Sequence, residues 1–161
     1  MQIKTQFNNS DGTVCVVTYE DADSFESLDL SKVTQVYAVC LSLKGEMVIV
    51  FHGKRKDWTL VGGSVELGES LEDCLKREIQ EESNMKVLNF KPVGYQMVQT
   101  GDKVIYQLRY VCRVELYGEF IEDPVGKVTE IKLIDPKDFK QYFDWGEIGE
   151  RIVERALEIL K

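Results

Sequence analysis

The sequence is poor in the residues from which metal clusters and covalent staples are built. It holds one histidine, and its four cysteines, Cys15, Cys40, Cys74 and Cys112, stand singly in apolar surroundings with no Cys-x-x-Cys pair. That distribution excludes a structural zinc site of ordinary spacing and suits thiols kept reduced in a cytoplasm. No apolar run approaches the length that spans a bilayer, and the first ten residues lack the apolar core of a secretion signal. A cytoplasmic protein without membrane contacts is expected. Basic charge is also in deficit, since 20 Lys and Arg face 28 Asp and Glu for a formal net charge of −8. An acidic chain is a poor match for a DNA duplex or a long phosphate backbone, so a small nucleotide is the better partner.

What is present is enough for one core. The chain has 161 residues, 43% of them hydrophobic, and neither an internal repeat nor a low-complexity linker. Residues 1–161 are expected to form a single domain, acting as a monomer or a homodimer. Runs of β-branched and aromatic residues predict strands at 13–19, 33–43, 46–52, 57–61, 86–98, 103–116 and 128–134. Turns are expected at 9–12 and 42–45, and a hairpin at Gly101-Asp102 joins the two longest strands. Apolar spacing predicts helices at 70–83 and 145–160, the second opened by a capping box of Asp144 and Glu147. With its apolar face on the sheet opposite the first helix, the result is an α/β fold, an α/β/α sandwich around a mixed sheet.

The first helix carries its charges in an unusual place. On a wheel of about 100° per residue from Leu71, Leu75 and Ile79 draw one apolar stripe, and Glu78 and Glu82 fall inside or beside it. A buried, unpaired carboxylate costs several kcal/mol or gives up its charge, so this cluster needs cations. Arg77 reaches Glu81 at i+4 but cannot serve every carboxylate. Crowded hard oxygen donors point to Mg²⁺ or Mn²⁺. Solvated glutamates are the ordinary reading of a Glu-rich helix; the double glycine before this one, Gly62-Gly63, argues against it.

The stretch from Gly63 to Met85 resembles the signature of the Nudix (MutT-type) hydrolases: Gly, five residues, Glu, seven residues, then Arg-Glu-apolar-any-Glu-Glu-any-Gly-apolar. Gly63, Glu69, Arg77, Glu78, Ile79, Glu81, Glu82 and Met85 stand at those spacings. The fixed Gly, Glu and Arg identities would coincide by chance on the order of once in ten million positions. Three positions depart from the pattern. Asn84 replaces the closing Gly and suits a left-handed helix cap; Val61 replaces a Pro before the double glycine; Cys74 replaces a small Ala and reads as a core filler. No carboxylate is lost.

The resemblance implies a Nudix-type sandwich and a metal-dependent hydrolase acting on phosphoanhydrides. It implies that Glu78, Glu81 and Glu82 are metal ligands, that Arg77 orients carboxylates, and that Glu69 steadies the loop or binds a second ion. The backbone of Gly62 and Gly63 would help build the metal and phosphate site. An additional acid is expected downstream: Glu130 is chosen, with Glu119, Glu122 and Asp123 as competitors. Lys54, Arg55 and Trp58 are candidates for substrate binding, and Tyr37, Phe51, His52, Tyr95, Tyr106 and Tyr110 are further rings that could stack on a base.

Substrate is the least specified expectation. The family's ADP-ribose subgroup carries a Pro about sixteen residues beyond the box and its diadenosine-polyphosphate subgroup a Tyr slightly further on; here Gly101, Asp102 and Lys103 occupy that stretch. The expectation is therefore a nucleoside or deoxynucleoside triphosphate cleaved to a monophosphate and pyrophosphate. ADP-ribose, nucleotide sugars and dinucleoside polyphosphates are the alternatives. A ligand-sensing or protein-binding module without hydrolysis is the rival of another class.

Overall fold

The computed structural model describes residues 1–161. Nine strands make one sheet: β1 Gln2–Asn8, β2 Val14–Asp21, β3 Val33–Leu41, β4 Met47–His52, β5 Asp57–Thr59, β6 Val61–Ser64, β7 Met85–Thr100, β8 Lys103–Leu116 and β9 Val128–Ile134. Two helices, α1 Leu71–Ser83 and α2 Gly146–Ile159, lie on its opposite faces. The strand order is β1-β2-β7-β8-β3-β4-β5, with β6 paired to β3 and β9 to β4. Only β3 and β8 run parallel; every other pair is antiparallel.

Alternation along the central strands divides the core in two. Val36, Ala38 and Cys40 of β3, Val48 and Val50 of β4, and Leu108, Tyr110, Cys112 and Val114 of β8 face α1 and its Cys74, Leu75 and Ile79. Val39, Leu41, Met47, Ile49 and Val111 point the other way, onto Ile148, Ile152, Val153 and Ala156 of α2. Because side chains alternate with period two, each central strand serves both cores. The expected α/β/α sandwich is thereby formed.

Some boundaries differ from expectation. Gln2–Asn8 forms an edge strand hydrogen-bonded to β2; its largely exposed, polar composition hides it from an apolar-periodicity reading. The strand expected at 57–61 breaks into β5 and β6, which pair with different neighbours, β4 and β3. The capping box at α2 does not form. Trp145 is the N-cap without a side-chain bond, while Asp144 Oδ1 accepts from Gly146 N–H at 2.9 Å in a tight turn where Gly146 has φ 62°. The hairpin closes at Gly101-Asp102, with Thr100 opposite Lys103.

Helix α1 has sharp ends. Ser70 Oγ accepts from Asp73 N–H at 3.1 Å, and Asn84 ends the helix in the left-handed region at φ 53°, ψ 42°. Its side-chain amide donates to the Glu119 carbonyl at 3.1 Å, tying the helix end to the loop across from it. In urea unfolding, Asn84→Ala should lower stability by about 1–2 kcal/mol through the left-handed strain, and Asn84→Gly by less. Equal losses would show that the side-chain bond, not the backbone, sets the preference.

Candidate active site

The site begins with close packing between β6 and α1. Gly62 has φ 155°, and a Cβ there would stand 2.2 Å from the Val36 carbonyl oxygen. A Cβ on Gly63 would stand 2.5 Å from Glu78 Oε1. Both positions exclude a side chain, and this is what lets the carboxylates of α1 approach a strand backbone. Gly62 N–H donates to Glu82 Oε1 at 2.8 Å.

Two of these carboxylates are out of water, Glu78 at 2% exposure and Glu82 at 4%. Burial pushes the Glu82 carboxyl up to about 8, reinforced by Glu78 and Asp123 and opposed by the Gly62 N–H and by Lys127. Glu78 is also raised by burial, against the pull of Arg77, and its Oε2 has no hydrogen-bond partner.

Arg77 binds the cluster together. Its Nε donates to Glu69 Oε1 at 2.6 Å, Nη1 to Glu78 Oε1 at 3.0 Å and Glu81 Oε2 at 3.2 Å, and Nη2 to Glu69 Oε2 and the Ser64 carbonyl, each at 3.1 Å. This guanidinium holds the Glu69 carboxyl down to about 2. Glu69 Oε2 also accepts from Glu66 N–H at 3.0 Å, so its place here is the closure of the loop before the helix. Cys74 is fully buried and its thiol is pushed up to about 12, as a core filler requires.

Glu78, Glu81 and Glu82 fit a hard divalent cation by donor chemistry: oxygen ligands only, one of them an orphaned buried atom and another whose ionisation burial opposes. They do not stand at the spacing of a ready-made chelate. Arg77 supplies the positive charge instead and turns Glu78 and Glu81 toward itself.

Beside Glu81 a cleft of about 560 Å³ is lined by Arg77, Gln80, Asn84, Glu119, Ile121, Glu122 and Pro124. Glu119 and Glu122 are therefore the downstream acids brought to the site. Glu130, the expected one, is not: it is exposed on β9 opposite Phe51, whose ring packs on Trp58. Its neighbour Ile131 pairs with Val50 and faces α1, so alternation puts Glu130 on the far face. Asp123 is buried beside Glu82 but accepts from the N–H groups of Val125, Lys127 and Val128, which makes it a turn-former.

The remaining candidates separate. Lys54 and Arg55 lie in an exposed turn, Arg55 donating to Asp57 at 3.2 Å, and neither touches the acidic cluster. Arg55, Trp58 and Tyr37 instead line a cavity of about 380 Å³ on the α2 face, along with Arg109. Phe51 packs on Trp58, Tyr95 and Tyr106 pair with each other, and Tyr110 is buried between Phe25 and Phe90. Sequence reasoning missed Arg109; its one signal is a cation set between Leu108 and Tyr110 within a long strand.

A double-glycine strand backed by an acidic helix, inside an α/β/α sandwich, defines a class of phosphoanhydride hydrolases. Residues 32–156 match the NUDIX domain, and the chain belongs to the Nudix family of pyrophosphohydrolases. It is 31% identical over 138 residues to a protein named NAD-capped RNA hydrolase NudC from Photobacterium profundum, covering 81% of this chain and 48% of that one. The chain thus spans about half the length of that relative. Its fold is similar to that of the pyrophosphohydrolase BsRppH from Bacillus subtilis, with TM-score 0.72, 17% identity and coverage of 96% and 97% of the two chains. The NUDIX domain of Shewanella oneidensis NrtR complexed with ADP ribose is also similar, with TM-score 0.63, 17% identity and coverage of 81% and 89%. No helix of the chain is long and apolar enough to cross a membrane.

The Glu82 carboxyl gives a pH test. Its folded value, about 8, lies above the ordinary carboxylate range, so within that window the folded protein keeps a proton that the unfolded chain has lost. Stability contributed by that proton is present below the ordinary range and is lost as pH rises through about 8. With a chelator present, Glu82→Gln should raise the thermal midpoint above wild type at pH 8.5, and the gap should close toward pH 5. An equal gap at both pH values would show that Glu82 is already ionised in the folded protein.

Proposed function

We propose that this chain hydrolyses a phosphoanhydride bond in a nucleoside diphosphate-linked substrate, using Mg²⁺ or Mn²⁺. The observation that carries the reading is the packing of the buried Glu78 and Glu82 against Gly62-Gly63, with Glu81 held beside them through Arg77, an orphaned oxygen on Glu78 and a protonatable Glu82. Glu78, Glu81 and Glu82 hold the cation; the backbone of Gly62 and Gly63 shapes the approach of the phosphates. A bound divalent cation supplies Lewis-acid polarisation of phosphoryl oxygens and a water of lowered pKa.

The other parts are the chain's own. Arg77 orients Glu78 and Glu81, and Glu69 locks the loop. Glu122 or Glu119, across the cleft, takes the proton of the attacking water. The preferred substrate class is a nucleoside or deoxynucleoside triphosphate, cleaved to a monophosphate and pyrophosphate. A second reading, a dinucleoside diphosphate such as NAD or a compound such as ADP-ribose, is favoured by the likeness to NudC and to the ADP-ribose complex. Four buried free cysteines suit a reducing cytoplasm.

Product release should be measured with each cation across nucleoside triphosphates, NAD, ADP-ribose, nucleotide sugars and dinucleoside polyphosphates. Metal-dependent turnover of one class is expected. Silence across the panel from folded, metal-binding protein would favour a sensing module. Glu81→Gln and Glu82→Gln should each lower kcat at least about a hundredfold with the fold intact. Intact turnover in both would remove the metal-site assignment. Glu122→Gln should slow turnover and Glu130→Gln should not; the reverse result would return the downstream acid to β9.

A further inference from the structure

The two edges of the sheet are built differently. At one end β5 has three residues and follows the charged turn Lys54-Arg55-Lys56, a short and charged edge of the kind that discourages strand addition. At the other end β1 has seven residues, a single charge on Lys4 and no proline. Its pairing with β2 runs from Gln2 opposite Glu20 to Asn8 opposite Val14 without a bulge, and β2 is its only strand partner.

Two hydrogen bonds fix which way the backbone of β1 points. Asp21 N–H donates to the Met1 carbonyl at 3.0 Å, and Asn9 N–H donates to the Thr13 carbonyl at 2.8 Å. Met1 and Asn9 therefore direct their backbone groups toward β2, and in an unbulged antiparallel strand Ile3, Thr5 and Phe7 do the same. The N–H and C=O groups of Gln2, Lys4, Gln6 and Asn8 point away from the sheet, and no hydrogen bond within the chain satisfies them.

We propose that this edge pairs with the same strand of a second copy, antiparallel about a two-fold axis at Thr5, to form one continuous sheet across a homodimer. The strand complements itself in this register. Gln2 faces Asn8 of the second copy, Lys4 faces Gln6, and Ile3 faces Phe7, so all seven residues are paired and polar meets polar on one face, apolar meets apolar on the other. The facing pairs of even-numbered residues are the ones whose backbone groups point outward, so each of those groups gains a partner. Neighbouring registers fit less well. An axis at Lys4 sets that charge against its own copy, and an axis at Gln6 leaves Ile3 opposite no strand residue. The pairing also covers Phe7, which stands 50% exposed. Because Thr5 and Phe7 line the cavity on the α2 face, the second copy adds Ile3 to its rim.

Sedimentation velocity tests the assembly and cysteine cross-linking tests the register. The wild-type chain should sediment at twice the 18.5 kDa of one copy. Gln6→Pro deletes an outward N–H while keeping every β1–β2 bond, because proline is tolerated where an edge N–H faces solvent. Its sedimenting mass should fall by half with the circular dichroism spectrum unchanged. Thr5→Cys places two thiols on the axis, where the Cα atoms of a non-hydrogen-bonded pair stand about 4.5 Å apart, within disulfide range. Oxidised glutathione, itself reduced to two thiols, should convert this variant to a covalent dimer and should leave Lys4→Cys, which faces Gln6, without one. The four native cysteines are buried and stay out of the reaction. If Gln6→Pro fails to fold, the two cysteine variants decide alone. A wild-type monomer, a dimer that persists in Gln6→Pro, or equal cross-linking of Thr5→Cys and Lys4→Cys would overturn the proposal.

Discussion

The acidic helix exists in its present form because Arg77 holds three glutamates at once. Without that fork, Glu69 would leave the loop, and Glu78 and Glu81 would stand as like charges along a helix already packed on a strand backbone. Like charges at that density repel, and burial magnifies the repulsion. The loop from Ser64 to Glu69, the orientation of α1 and the access of Glu78 to Gly63 therefore all follow from one side chain. Removing either glycine's freedom would undo the same arrangement from the strand side, since a Cβ at Gly63 would occupy the place of the Glu78 carboxylate.

Two recesses flank the central strands, and their chemistry is opposite. On the α1 face the cleft presents acceptors, Glu81, Glu119 and Glu122. On the α2 face the cavity presents the rings of Tyr37, Trp58 and Trp145 together with Arg109 and the paired Arg55 and Asp57.

Much of this was legible in the sequence, and the reasons differ by element. The neighbourhood of Arg77, Glu78, Glu81 and Glu82 was legible because helix geometry fixes their spacing, whereas Gly63 and Glu69 reach the helix through contacts with Glu78 and Arg77. Asn84 was legible because its left-handed conformation is a local property. Glu130 was misplaced because the face a strand residue takes depends on register and on bulges. The β4–β9 pairing is irregular between Phe51 and His52, which no periodicity in the chain announces. Strand β1 escaped notice because an edge strand needs backbone partners more than buried side chains.

The parallel pairing of β3 with β8 sets the order in which this molecule can become active. Those strands are separated by the whole segment from Ser42 to Asp102, which contains β6, the glycine pair and all of α1. Closing so long a segment loses chain entropy before the pairing rewards it, so the topology belongs to the slower-folding kind. The acidic helix can form early as a local element, yet the sheet that holds β6 beside it is complete only once β3 and β8 have met around it. A chain caught before that step would carry the complete motif and no site.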